Sequence, residues 1–141
     1  MKPKQLTINK ATENSFTVRR DLYPKNQNNW HYHEQLELVM IYKGSGSLYL
    51  GDTIQDFSEA TCVLIGPNLP HFWLFHNLHD HKEDSSPIEC IVIHFTDDFA
   101  GKELFNIPEL QNLKQLIQDA ERGIITKINL NNQLSESIQQ L

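Results

Sequence analysis

The chain has 141 residues, enough for one domain with a real core. Twelve basic against eighteen acidic residues leave a net charge of −6, and the basic side chains are scattered, from Lys2 and Lys4 through Arg19 and Arg20 to Lys102, Arg122 and Lys127. Such a chain carries no basic stripe for a nucleic acid, and an anionic membrane surface would repel it. Cys62 and Cys90 sit in separate apolar runs and form no C-x-x-C pair. They read as buried thiols of a reducing cytosol rather than as a disulfide framework. The N-terminus lacks an apolar signal segment, and no apolar run reaches the length of a membrane span. The expected location is therefore cytoplasmic.

In chain order, residues 5–96 carry short apolar runs between turn signals, which is the pattern of an all-β domain. Residues 6–8 and 16–18 open as short strands, and the Pro-, Asn- and Lys-rich stretch 23–29 reads as an exposed loop. A long strand is expected over 31–43, turning at Gly44-Ser45-Gly46 into a hairpin partner over 47–50. Gly51-Asp52 makes a second turn before 54–57. Residues 61–65 form a buried-type strand, and Gly66-Pro67-Asn68-Leu69-Pro70 a sharp turn into a strand over 71–75. The charged stretch 77–87 reads as a long loop, and 88–95 as the last clear strand. Helical periodicity takes over from residue 97, which sets a boundary between a β-barrel over 1–96 and a helical extension over 97–141. A first helix is expected from Thr96-Asp97, a second from Pro108 with Leu110, Leu113 and Ile117 on one face and Gly123 as its stop. Ile124-Ile125 offers one more strand. A third helix, capped by Asn129, would align Leu130, Leu134, Ile138 and Leu141. It ends without a polar finish, so the sequence reads as cut inside a longer polypeptide.

The sharpest signal is the group His31, His33 and Glu37. On one extended strand these odd positions share a face, so two imidazoles and a carboxylate converge. His71, after the sharp turn, can join them from across a barrel. This donor set suits a divalent first-row metal such as Zn, Ni, Fe or Mn. The same groups can instead satisfy one another by hydrogen bonds in a barrel that binds an organic effector without metal. Trp73 and Phe75 share parity with His71, either as a stacking surface for a sugar or other apolar effector, or as plain core. His76, His79 and His81 fall in or beside the charged loop and read as solvated. The facing of His94 depends on a register the sequence does not supply. On the long strand, Leu36, Leu38, Met40 and Tyr42 point away from the histidines while Val39 and Ile41 join them. Both faces therefore need cover, and the C-terminal helices or a second copy could supply the outer one.

The spacing H-x-H-x3-E-x6-G from His31 to Gly44 resembles the first motif of the cupin superfamily, although its leading glycine falls on Lys25. The second motif corresponds to Gly66, Asn68 and His71, with Gly66 in place of proline, Asn68 in place of glycine, and Phe75 where the motif closes on asparagine. More specifically, WHYHEQLELVMIYKGSG, GPNLPHFW, IVIHFTDDFAG and PELQNLKQLIQDAERGI resemble the N-terminal domain of AraC-family transcription regulators, over about residues 15–141. The resemblance implies a mainly β, cupin-type jelly roll followed by C-terminal helices. It implies a homodimer that senses a small-molecule effector, and DNA contact only through a separate helix-turn-helix domain. His31, His33, Glu37, His71, Trp73 and Phe75 would line the effector pocket, and the first four would hold any metal. The Leu130 to Leu141 face is either a dimer seam or packing, on the domain's own sheet or on the separate DNA-binding domain. The alternative is a small metal-dependent cupin enzyme of dioxygenase or isomerase type, using the same residues with an open coordination position.

Overall fold

The computed structural model describes residues 2–8, 14–22, 29–76 and 88–141. Within them two five-stranded sheets face each other. The first runs in the order β1 (Lys4–Gln5), β3 (His31–Tyr32), β8 (His71–Phe75), β5 (Gly46–Leu50), β6 (Thr53–Phe57). The second runs β10 (Ile124–Lys127), β7 (Thr61–Ile65), β4 (Leu36–Lys43), β9 (Glu89–Phe95), β2 (Phe16–Leu22). All pairs are antiparallel except β1 with β3. This is the expected cupin-type jelly roll, with short helices at the C-terminal end.

Period-two alternation explains the layering. On β4 the odd residues Val39 and Ile41 join Leu48, Leu50, Phe57, Val63, Ile65, Trp73, Phe75, Cys90 and Val92 between the sheets. The even residues Met40 and Tyr42 face outward with Cys62, Ile91 and Ile93 and are covered by Ile128, Leu130 and Ile138. Leu36 packs outward with Leu64, Ala120, Ile117 and Ile124. The outer lid is thus the chain's own C-terminal segment, which also returns as β10 along β7.

Three local expectations give way. The stretch 31–43 is two strands in different sheets, broken at 33–35, because the His33 Nδ1–H donates to the Gln35 carbonyl at 3.0 Å and closes a bend. Gly44 to Gly46 is a crossover between sheets, not a hairpin. Gly46 is required there because a Cβ would collide with the Leu74 carbonyl and the Phe57 ring. The true hairpin joins β5 and β6 through Gly51, whose φ is +56°. After Thr96 there is no helix but a run of turns, since the Thr96 hydroxyl donates to Asp98 instead of capping.

Pro108 does open a helical turn, Pro108–Leu110, that continues into α1 (Gln111–Asp119), and Gly123 with φ +78° ends that region. The last helix, α2 (Gln133–Gln139), starts later than expected. Asn132 caps it by accepting from the Ser135 N–H at 2.9 Å, while the Asn129 side chain closes a turn onto Asn131. The expected seam on this segment divides: Leu130 and Ile138 pack on the sheet, whereas Leu134 and Leu141 are exposed. Of the stretches 23–29 and 77–87, only Asn29 lies within the described residues, so Lys25, His79 and His81 fall outside them.

Candidate functional site

Two cross-strand pairs meet at one end of the interior. His31 and His71 are partners across β3 and β8 in the first sheet, and Glu37 and His94 are partners across β4 and β9 in the second. His33 reaches in from the bend between β3 and β4. Its carbonyl accepts from the Asn68 N–H at 2.7 Å, which ties the bend to the 66–70 turn. Asn68 takes φ +59° there, the left-handed geometry that asparagine tolerates.

The Oε2 atom of Glu37 is the meeting point. Nε2 of His94 lies 2.8 Å from it, Nε2 of His33 3.0 Å, and Nε2 of His71 3.5 Å. All four side chains are buried. Burial opposes ionisation of Glu37, but the hydrogen-bond contacts with His33 and His94 and the attraction of His71 win and hold its carboxyl well below the usual range. For His71, burial favours the neutral ring, yet Glu37 outweighs it and raises the imidazole above its ordinary value. His71 Nε2 has no hydrogen-bond partner among the described residues, since 3.5 Å to Glu37 falls short of good geometry; the pull of the carboxylate and the Leu69 carbonyl on Nδ1 favour the charged ring. His31 is only half-buried, and burial together with neighbouring His71 lowers its imidazole.

Ligand-capable atoms form two groups that share His33. One is His33, Glu37 and His94, and the other is His31, His33 and His71, with the atoms of each within 4.8 Å of one another. The four residues expected from sequence are therefore neighbours, but the carboxylate groups with His94 and not with His31. His94 was not assignable without register. On β9 it shares parity with the inward Cys90 and Val92, and pairing opposite Glu37 puts it in the site. Imidazole nitrogens, a carboxylate and an unpartnered buried His71 Nε2 fit a divalent first-row ion. When bound, such an ion polarises an oxygen atom of a neighbouring molecule as a Lewis acid.

Beside this cluster lies a cavity of about 540 Å³, bordered by Glu37, His94, His31, Trp73, Phe75 and Arg19 among others. Arg19 and Asp21 lie opposite Val92 and Cys90 in the β2–β9 register, so they share the interior face. Arg19 Nε donates to both Asp21 carboxylate oxygens, at 2.8 and 2.9 Å. Sequence spacing gave no signal for this pair. Trp73 and Phe75 are at once core and cavity wall, stacked with centroids 6.3 Å apart against the edge of Phe57. His76 is exposed and lies outside the site.

A model of the AraC-like ligand binding domain matches residues 14–141. The chain belongs to that family. Solved structures of ToxT from Vibrio cholerae show the same fold. One at 1.65 Å resolution is 20% identical with a TM-score of 0.56, covering 88% of this chain and 47% of that chain. Another, from strain SCE256 with an unsaturated fatty acid bound, is 16% identical with a TM-score of 0.54, covering 92% of this chain and 46% of that chain. A third, bound to (E)-4-(8-methylnaphthalen-1-yl)but-3-enoic acid, is 19% identical with a TM-score of 0.54, over 89% and 48%. This AraC-type chain spans about half the length of those ToxT chains. No curated protein matches it. Among the described residues no helix is long and apolar enough to cross a membrane.

Proposed function

We propose that this AraC-type domain is the effector sensor of a transcription regulator. A small molecule enters the barrel cavity, and its binding biases a homodimer and, through it, a DNA-binding domain elsewhere in the full regulator. The observation that carries this reading is the cavity itself. At about 540 Å³ it has the size of a small-molecule site, with an apolar wall of Trp73, Phe75, Val39 and Val92 and a few convergent polar groups. Arg19 on β2, exposed and paired through Nε with Asp21, brings a guanidinium to the border of the cavity. A carboxylic acid with an apolar body suits that lining better than a sugar, which would need hydrogen-bonding groups along its whole length. The two ToxT ligands named above are acids of that kind.

Thermal shift measurements with medium- and long-chain fatty acids, aryl acids and sugars test the class. An acid is expected to raise the midpoint, and Arg19→Ala and Trp73→Ala to abolish that rise. A sugar that stabilises while every acid leaves the midpoint unmoved sinks the acid assignment. An extract of the purified protein that contains no small molecule, together with silence across all three classes, sinks the sensor reading.

A further inference from the structure

The Nδ1 atoms of His33 and His71 lie 3.0 and 2.8 Å from the carbonyl oxygens of Gln35 and Leu69. A carbonyl only accepts, so each Nδ1 carries a hydrogen. A neutral imidazole carries only one, which leaves a bare lone pair on both Nε2 atoms. Those lone pairs face the same Glu37 oxygen. A single proton, whether on Glu37 or on one ring, would serve one of these contacts and leave the other lone pair directed at an oxygen. Protonating both rings would instead put two imidazolium ions in a buried site beside a single carboxylate, leaving one buried charge uncompensated.

One cation among the donors removes the conflict without moving a proton. A histidine whose Nδ1–H is held by a carbonyl is oriented to offer Nε2 to a metal. Nε2 of His71, buried and without a hydrogen-bond partner among the described residues, is in that state. Nδ1 of His31 is held in the same way, 2.7 Å from the Asn29 carbonyl, so orientation does not separate it from the others. Burial and contact do: His94 is buried and touches Glu37, while half-buried His31 groups with His33 and His71 but not with the carboxylate.

We propose that this chain holds one divalent first-row metal ion through His33, Glu37 and His94, with His71 as fourth donor. His94 on the last barrel strand thereby takes the place that sequence spacing gives to His31. The imidazole-rich set favours zinc, nickel or iron over magnesium or calcium. Glu37 and His94 also border the cavity, so the ion would face a molecule held there. The proposal stands apart from the sensor reading, since an effector can bind the cavity with or without an ion.

The test is titration of chelator-stripped protein with Co²⁺ and Zn²⁺, read by visible absorption and calorimetry. One equivalent is expected to bind to the wild type, and His76→Ala, an exposed imidazole, serves as the unaffected control. Loss of a ligand's hydrogen-bonding partner alone costs about 10–100-fold in metal affinity, so His94→Ala should weaken binding by at least about tenfold, and by more than His31→Ala. Because a buried histidine variant can misfold, the wild type supplies a second readout. In a zinc-soaked crystal, an anomalous peak is expected within about 2.0–2.3 Å of His94 Nε2. No stoichiometric uptake by the wild type, a larger loss in His31→Ala, or a peak on His31 in place of His94 overturns the proposal. Failure here leaves the thermal shifts with organic effectors untouched, so the two readings fall separately.

Discussion

Cys90 lies on the interior face of β9 opposite Asp21, and burial, assisted by the negative charge of Asp21, pushes its thiol up to about 12. An unfolded cysteine ionises near about 8.5. Above that value the unfolded chain sheds a proton that the folded chain keeps, so stability falls as pH rises and the loss is complete only beyond the folded value. Each pH unit inside that window costs up to about 1.4 kcal/mol. Denaturant melts at pH 8 and 10 should therefore show wild type losing about 1–2 kcal/mol more than Cys90→Ala. Equal losses would place the Cys90 thiol in contact with solvent. Glu37 is the second residue whose effect follows from its surroundings. Replacing it with alanine in metal-free protein removes the buried carboxylate that Nε2 of His33 and of His94 approach at 3.0 and 2.8 Å, and should cost about 3–5 kcal/mol in the same melts. At this scale the sequence was informative about residue type and much less so about partnership. His31, His33, Glu37 and His71 do cluster, but not for the reason given by parity. The bend at 33–35 has no Pro or Gly to announce it, and the sheet change there swaps His94 for His31 beside the carboxylate.

Elements that carry strong alternation were legible, and elements defined by a local hydrogen bond were not. Residues 61–65 and 71–75 form strands where apolar spacing places them, and Ile124-Ile125 does add a strand. The helix expected at Thr96 fails because its hydroxyl finds a nearer partner, and the cap of α2 moves three residues because Asn129 spends its side chain on Asn131. Asn132→Ala should accordingly cost about 1 kcal/mol, seen as faster amide exchange across 133–139 with β4 and β9 protection unchanged. Global loss of protection would mean that α2 and the sheet unfold as one unit. Gly66 marks where the turn after β7 touches the end of the α1 region. Its N–H donates to the Ala120 carbonyl at 2.8 Å, and a Cβ at Gly66 would lie 2.5 Å from that oxygen. Backbone cannot step aside as a side chain can, so Gly66→Ala should destabilise by about 1–3 kcal/mol. A neutral Gly66→Ala would show that the 120–122 turn is free to shift.

On the scale of the whole molecule, the barrel interior and the outer face of the second sheet are separate spaces. The outer one is an apolar groove of about 520 Å³ lined by Phe16, Leu38, Phe99, Leu116, Leu134 and Leu141 among others. Leu113, Leu116, Leu134 and Leu141 are 40%, 43%, 50% and 59% exposed around it, an apolar cluster that a lone soluble domain seldom leaves in water. The sensor reading proposed above would place a second copy of the domain there. Burying a leucine contributes roughly 1.5–3 kcal/mol and tenfold in affinity is about 1.4 kcal/mol, so Leu134→Lys should weaken dimerisation at least about tenfold. Sedimentation equilibrium measures this directly, with circular dichroism to check that α2 still forms. An unchanged dimer constant would move the interface off this face. Linkage adds a stricter demand. An effector that favours the dimer must raise dimer affinity by the factor by which dimerisation raises its own binding. A ligand that binds equally well to wild type and to monomeric Leu134→Lys protein transmits nothing through this interface, however tightly it is held.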